Sequence, residues 1–170
     1  MAKKILETER LVLREFDLDD AEFIVELLNS PGWLKFIGNK KVKTLDDAKT
    51  YLETRIKSYA EHGFGLSMVE LKFISLPIGM CGLIKRDTLE DVDIGFAMLP
   101  EFARTGYGYE MASATLDYGK NVLGLERIVA ITLEENKASI ALLKKIGLKF
   151  EKLITIPNDD EELMLFGVNF

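Results

Sequence analysis

The sequence predicts a single α/β (α+β) domain over residues 1–170, with about seven strands and about four helices in the order β-α-α-β-β-β-α-β-α-β-β. Three observations carry this. Short runs rich in β-branched and aromatic residues alternate with segments of helical spacing along the whole chain. Three of the strands follow one another across short polar links, which reads as an antiparallel meander. At the centre, Asp93–Leu99, a glycine-bearing turn and a helical segment succeed one another without a linker.

Glu9–Phe16 alternates around Leu11 and Leu13 as a first strand. Asp17 and Asp19 are N-cap residues for a helix over about Asp20–Asn29, apolar at Phe23, Ile24, Leu27 and Leu28. Ser30-Pro31-Gly32 stops it, and Trp33–Lys43 reads as a loop that is apolar at Trp33, Leu34, Phe36 and Ile37. Thr44 caps a second helix, with Ala48, Tyr51, Leu52, Ile56 and Tyr59 on one face and Gly63 as its stop. Phe64–Leu71, Ile78–Lys85 and Asp91–Leu99 are the meander. A third helix begins near Gly108, with Met111, Thr115, Tyr118 and Val122 at helical spacing, and Gly124 ends it. Arg127–Leu133 is almost all β-formers, as expected of a strand covered on both faces. Asn136 caps a fourth helix that ends at Gly147, and Lys149–Ile156 and Leu163–Phe170 are the last strands.

The chain has 170 residues, 48% hydrophobic and 29% charged, the profile of a soluble globular domain. Its N-terminus has acids where a signal peptide needs an apolar stretch. The most apolar run, Phe73–Ile84, is too short to span a bilayer. One cysteine, Cys81, rules out an intramolecular disulfide and fits a reducing cytoplasm. The net charge of −6 argues against sequence-independent nucleic-acid binding and suits a cationic partner. With a single histidine, His62, and no His/Cys cluster, neither a metal site nor a Ser-His-Asp arrangement is expected.

Arg104-Thr105-Gly106-Tyr107-Gly108 links the strand ended by Pro100 to the helix beginning about Glu110. The first turn of a helix has N–H groups without intrahelical partners and a positive dipole end, and glycines let a bulky anion reach the backbone. The turn is neither a P-loop nor a dinucleotide fingerprint: no Gly-Lys-Ser/Thr follows, and the third glycine is absent. A Gly-x-Gly by itself arises by chance about once in a chain of this length.

Longer segments are more specific. They are the opening Thr8-Glu9-Arg10-Leu11 with Leu13-Arg14, then Ile94-Gly95-Phe96 with Pro100, then Gly106-Tyr107-Gly108-Tyr109-Glu110. The last is Asn136-Lys137-Ala138-Ser139 through Lys145 to Gly147, with Phe150. In these, and in the order of its elements, the chain resembles the GNAT N-acetyltransferases from Glu7 to Phe170. The subgroup it resembles is that of the ribosomal-protein N-terminal alanine acetyltransferases. One position departs from the pattern. The turn usually opens with Arg or Gln where this chain has Ala103, and Arg104 is the nearest replacement charge.

The resemblance implies a mixed central sheet and acetyl-CoA as co-substrate. It implies a pyrophosphate on the N–H groups of Arg104, Thr105, Gly106, Tyr107, Gly108 and Tyr109. A pantetheine arm would lie along the backbone of Phe96, Ala97 and Met98, with Asn136 bonding its amides. The expected reaction is acetyl transfer to a primary amine, a protein N-terminus or a small amine, by direct attack. Ser139 resembles the residue that protonates the leaving thiolate; it is equally a helix residue able to bond its own backbone. Asp93 is the first candidate base, since alternation puts Asp91, Asp93, Gly95 and Ala97 on one face. A water chain without a dedicated base is the alternative. The acceptor is expected to be a cationic amine, met by the acidic stretch Asp159-Asp160-Glu161-Glu162 and the apolar Trp33–Ile37 segment. No nucleic-acid or membrane partner is expected, and the protein is expected to be cytoplasmic, a monomer or homodimer. The alternative reading is a catalytically silent acyl-CoA-binding or partner-binding module on the same fold.

Overall fold

A computed structural model describes residues 2–157 and 159–170. Among these residues eight strands form one sheet in the order β1-β2-β3-β4-β5-β6-β8-β7. They are β1 (Lys4–Glu7), β2 (Leu11–Arg14), β3 (Leu66–Leu71), β4 (Leu76–Ile84), β5 (Asp93–Met98), β6 (Arg127–Thr132), β7 (Lys149–Thr155) and β8 (Glu162–Asn169). Five helices accompany them: α1 (Ala21–Leu28), α2 (Pro31–Phe36), α3 (Leu45–His62), α4 (Tyr107–Asn121) and α5 (Lys137–Lys145). The predicted α/β class and mixed sheet hold.

Two counts are corrected. An eighth strand, β1, precedes the first predicted one; it is a bulged edge strand pairing Lys4 with Arg14, and its charged ends hide the alternation. The predicted loop Trp33–Lys43 begins with helix α2. Pro31 stands in its first turn, where a missing N–H costs nothing, so the proline that ends α1 also starts α2. Other boundaries follow their caps. Thr44 and Asp47 form a reciprocal capping box at α3, and Gly63 ends that helix at φ 79°, a left-handed conformation that favours glycine.

The middle of the sheet is buried on both sides. One face packs on α1–α3 through Leu66, Met68 and Met80 against Ile24, Leu27, Ala48 and Leu52. The other packs on α4 and α5 through Leu83, Ile94, Ile128 and Ala130 against Ala112, Leu116 and Leu143. All neighbouring strands run antiparallel except β5 and β6. Those two run parallel and are bridged at a single position, Asp93 beside Val129. No helix among the described residues is long and apolar enough to cross a membrane.

Candidate active site

The sheet opens where β5 leaves β6. The Val129 N–H still bonds the Val92 carbonyl at 3.0 Å, and beyond Asp93 the strands diverge. On its other side β5 stays paired with β4 along its whole length, from Ile84↔Asp93 to Gly79↔Met98. The Leu99 N–H bonds the Ile78 carbonyl at 2.9 Å. By alternation Ala97 turns its backbone groups to β4, while Phe96 and Met98 turn theirs into the gap. Their positions are only half-buried, although β5 lies mid-sheet. The Ala97 side chain packs toward α1–α3, and those of Phe96 and Met98 toward α4. From Asp93 to Met98 the open edge is about 17 Å long, at ~3.3 Å per residue.

At its far end, Pro100–Phe102 forms a 3-10 turn, and the chain reaches α4 through two left-handed residues, Arg104 at φ 62° and Gly106 at φ 86°. The first intrahelical bond of α4 is Glu110 N–H to the Gly106 carbonyl, 3.0 Å. Among the described residues, the N–H groups of Arg104, Thr105, Gly106, Tyr107, Gly108 and Tyr109 make no hydrogen bond. Consecutive free N–H groups around left-handed residues, at the positive end of a fifteen-residue helix, form an anion-binding nest. A Cβ on Gly106 would lie 3.1 Å from Arg10 Nη2. Ala103 is exposed and provides no charge; the exposed Arg104 is next to it. The residues present fit a pyrophosphate gripped mainly by backbone.

The turn is held from below by residues whose role the sequence did not announce. Arg10 donates Nε to Glu110 Oε1 at 2.7 Å and Nη1 to the Thr105 carbonyl at 3.1 Å. Its guanidinium lies 4.4 Å from the centre of the Tyr107 ring. Thr8 Oγ1 donates to Glu110 Oε2 at 2.5 Å, and the Arg10 N–H donates to the same oxygen at 2.9 Å. The β1–β2 connection thus fixes the start of α4.

Asn136 caps α5: its Oδ1 accepts the Ser139 N–H at 3.2 Å. Its amide nitrogen and the hydroxyl of half-buried Ser139 make no hydrogen bond among the described residues. Asp93 sits where the gap closes, 1% exposed, and accepts from Arg86 Nε at 2.8 Å. Burial raises its pKa and Arg86 opposes the rise. Arg86, in the β4–β5 connection, had no assigned role in the sequence reading. Asp159, Asp160, Glu161 and Glu162 are exposed at the β7–β8 connection. Trp33 is buried among core residues, while Leu34 and Ile37 are exposed. Among the described residues no three His, Cys, Asp or Glu side chains are grouped to hold a metal ion.

A strand pair splayed beside a free-N–H turn at a helix start is an arrangement suited to an extended, phosphate-bearing ligand. Comparison with known proteins gives the class its name: the model of the acetyltransferase (GNAT) domain matches residues 10–149, and the chain belongs to that family. It is 30% identical over 153 residues to YoaA of Bacillus subtilis, an uncharacterized N-acetyltransferase, across 88% of this chain and 85% of that one. RimL, a ribosomal L7/L12 alpha-N-protein acetyltransferase solved with coenzyme A, superposes with a TM-score of 0.84 at 14% identity, covering 99% and 98% of the two chains. The ribosomal-protein-S5-alanine acetyltransferase of Vibrio fischeri gives 0.79 at 18% identity, covering 99% and 96%. At such identities the likeness is one of fold. The protein is an acetyl-CoA-dependent N-acetyltransferase.

Proposed function

We propose that this enzyme acetylates a primary amine in a ternary complex, with acetyl-CoA lying in the β5–β6 gap and its pyrophosphate on the 104–109 turn. The observation that carries this reading is the gap itself: Phe96 and Met98 turn unpaired backbone groups toward a path that ends at six free N–H groups. In this reading Phe96 and Met98 align the pantetheine arm as a strand would, and Ala97 between them, its backbone groups turned to β4, holds the two in register. The Asn136 amide nitrogen donates to an arm carbonyl while its oxygen caps α5. The acetyl group lies toward Asp93.

The donor supplies a thioester carbonyl, and a free N–H on the β5 edge stabilises the charge that develops on its oxygen. An alkyl ammonium has a pKa near ~10 and must lose a proton before it attacks. Asp93, with a raised pKa, accepts that proton. The N–C bond forms as the C–S bond breaks, and Ser139 Oγ donates to the departing sulfur. The ammonium gives up two protons in all, one ending on sulfur and one in solvent.

The amine arrives as a cation, and exposed Asp159, Asp160, Glu161 and Glu162 aid its capture. Changing these four to Asn and Gln lowers kcat/KM at low salt and less so at high salt; an unchanged low-salt value removes them from capture. The enzyme works in the cytoplasm as a monomer or homodimer, without nucleic acid; light scattering showing a larger particle contradicts that assembly state. The test of the whole reading is thiol release from acetyl-CoA over a panel of protein N-termini, amino acids, polyamines and aminoglycosides. Release that depends on one class of amine is expected. Binding of acetyl-CoA with no release from any amine overturns it in favour of a silent module.

A further inference from the structure

The face of the sheet opposite α4 and α5 carries a charge arrangement that the acetyl transfer does not use. Asp93, Gly95 and Ala97 lie on that face: Ala97 packs on the α1–α3 cluster, and a Cβ on Gly95 would meet Ile84 and Leu66. Three cations come to this side of the fold from three separate segments. Arg86, in the β4–β5 connection, bonds Asp93 at the closed end of the gap. Arg55 of α3 lies over Tyr51, which packs on the same cluster as Ile84, the β4 partner of Asp93. Lys40 is in the α2–α3 connection, two residues before Val42 of that cluster.

Only one of them has an acid. Arg86 donates Nε to Asp93, its side chain is still 37% exposed, and its other guanidinium N–H groups make no hydrogen bond among the described residues. Arg55 lies 4.8 Å from the centre of the Tyr51 ring, and its Nε is enclosed with no partner. Neither Arg55 nor Lys40 takes part in a salt bridge among the described residues. Buried Trp33, in the same cluster as Tyr51 and Ala97, also leaves its indole N–H unpartnered.

The titration directions agree that the cations stand together. Surrounding protein lowers the Lys40 pKa, and Arg86 and Arg55 lower it further; no carboxylate acts against them. Burial raises the pKa of Tyr51, while Arg55 and Arg86 both pull it down. Lys40 is at the same time exposed and so open to a ligand. Three cations against one buried carboxylate, in a chain of net charge −6, are not explained by pairing within the fold. Unpaired cations with free donors suit an anion, and Arg presents its donors in a fork that fits carboxylate and phosphate.

We propose that the acceptor amine also carries an anionic group, a carboxylate or a phosphate, held by Arg55, Lys40 and the free side of Arg86. The proposal rests on the acetyl-transfer reading and narrows it. The acceptor is a zwitterion whose ammonium faces Asp93 and whose anion faces the cations. Polyamines and aminoglycosides, all cation, are then poor substrates.

Matched pairs test this: leucine against leucinamide, and phosphoethanolamine against ethanolamine. Each is measured by thiol release, and by calorimetric binding to the enzyme saturated with coenzyme A. In at least one pair the anionic member is expected to have about tenfold higher kcat/KM and affinity, the scale of a charge-assisted bond. Which pair responds tells carboxylate from phosphate. Arg55→Gln and Lys40→Gln, checked for native thermal unfolding, are each expected to bring the ratio toward one. Equal handling of both members in both pairs overturns the proposal, as does a preference that survives both substitutions. Selective binding that depends on Arg55, without thiol release from any amine, upholds the anion site and sinks the catalytic reading. Thiol release without selectivity does the reverse.

Discussion

Arg10 and Glu110 are one hundred residues apart in the chain and meet at 2.7 Å under the 104–109 turn. The same guanidinium bonds the Thr105 carbonyl and covers Tyr107, so one side chain sets three points of the nest. Arg10→Ala is expected to weaken acetyl-CoA binding about tenfold while the fold survives, because a solvent-exposed ion pair contributes little to stability. Arg10→Lys does not restore binding, since an ammonium cannot reproduce the fork and the stacking together. Calorimetry decides, and an unchanged affinity in Arg10→Ala would show that the turn keeps its shape without the clamp.

Glu110 gives the clamp a pH limit. Burial acts to raise its pKa, but bonds from Thr8 and Arg10 outweigh burial and hold it below the ordinary 4.5. A depressed carboxyl stabilises the fold above about 4.5, and that contribution is lost as pH falls through the lower folded value. Acid unfolding midpoints of wild type and Glu110→Gln should therefore show a steeper pH dependence in the wild type over that window. Parallel curves would mean that Glu110 titrates alike in both states.

Asp93 has the opposite sign. Its raised pKa means the folded protein holds the proton more tightly than the unfolded one. Its contribution to stability is full below 3.8 and is lost as pH rises through the folded value. That shift toward neutrality suits a base. Asp93→Asn is expected to lower the single-turnover rate at least about 100-fold and to remove an acid limb that lies above 3.8. A rate and profile like wild type would leave deprotonation to water.

Ser139→Ala separates proton donation from structure. The α5 cap uses the Ser139 backbone N–H, which alanine keeps, so the helix start survives. The chemical step should slow about 100-fold, the low end for a general acid, with acetyl-CoA affinity nearly unchanged. Product release can mask this in steady state, so single-turnover rates are the readout, and an unaltered rate excludes the role.

What was legible in the sequence was local. Thr44 with Asp47 and Gly63 bounds α3, and Asn136 bounds α5, because a cap is a contact between residues three or four apart. The alternation that sets Asp93, Gly95 and Ala97 on one face was equally readable. The strand β1 was not: four residues with charged ends and a bulge carry no period. Nor was the second role of Pro31. The pairing of Arg10 with Glu110 leaves no trace in spacing, since the fold alone brings those segments together, and that of Arg86 with Asp93 depends on the register of the β4–β5 hairpin. Arg55 and Lys40 are likewise ordinary surface cations until α3 and the α2–α3 connection are set beside the sheet.

Calorimetric titration of acetyl-CoA into wild type and Gly106→Val tests the cofactor site most directly. Valine must hold a φ of 86° there, and its Cβ would press on Arg10 Nη2 at 3.1 Å. Wild type should bind, and Gly106→Val, with its circular dichroism and unfolding transition retained, should lose at least about 100-fold in affinity. Equal affinity in a folded Gly106→Val protein would contradict the placement of the pyrophosphate on this turn.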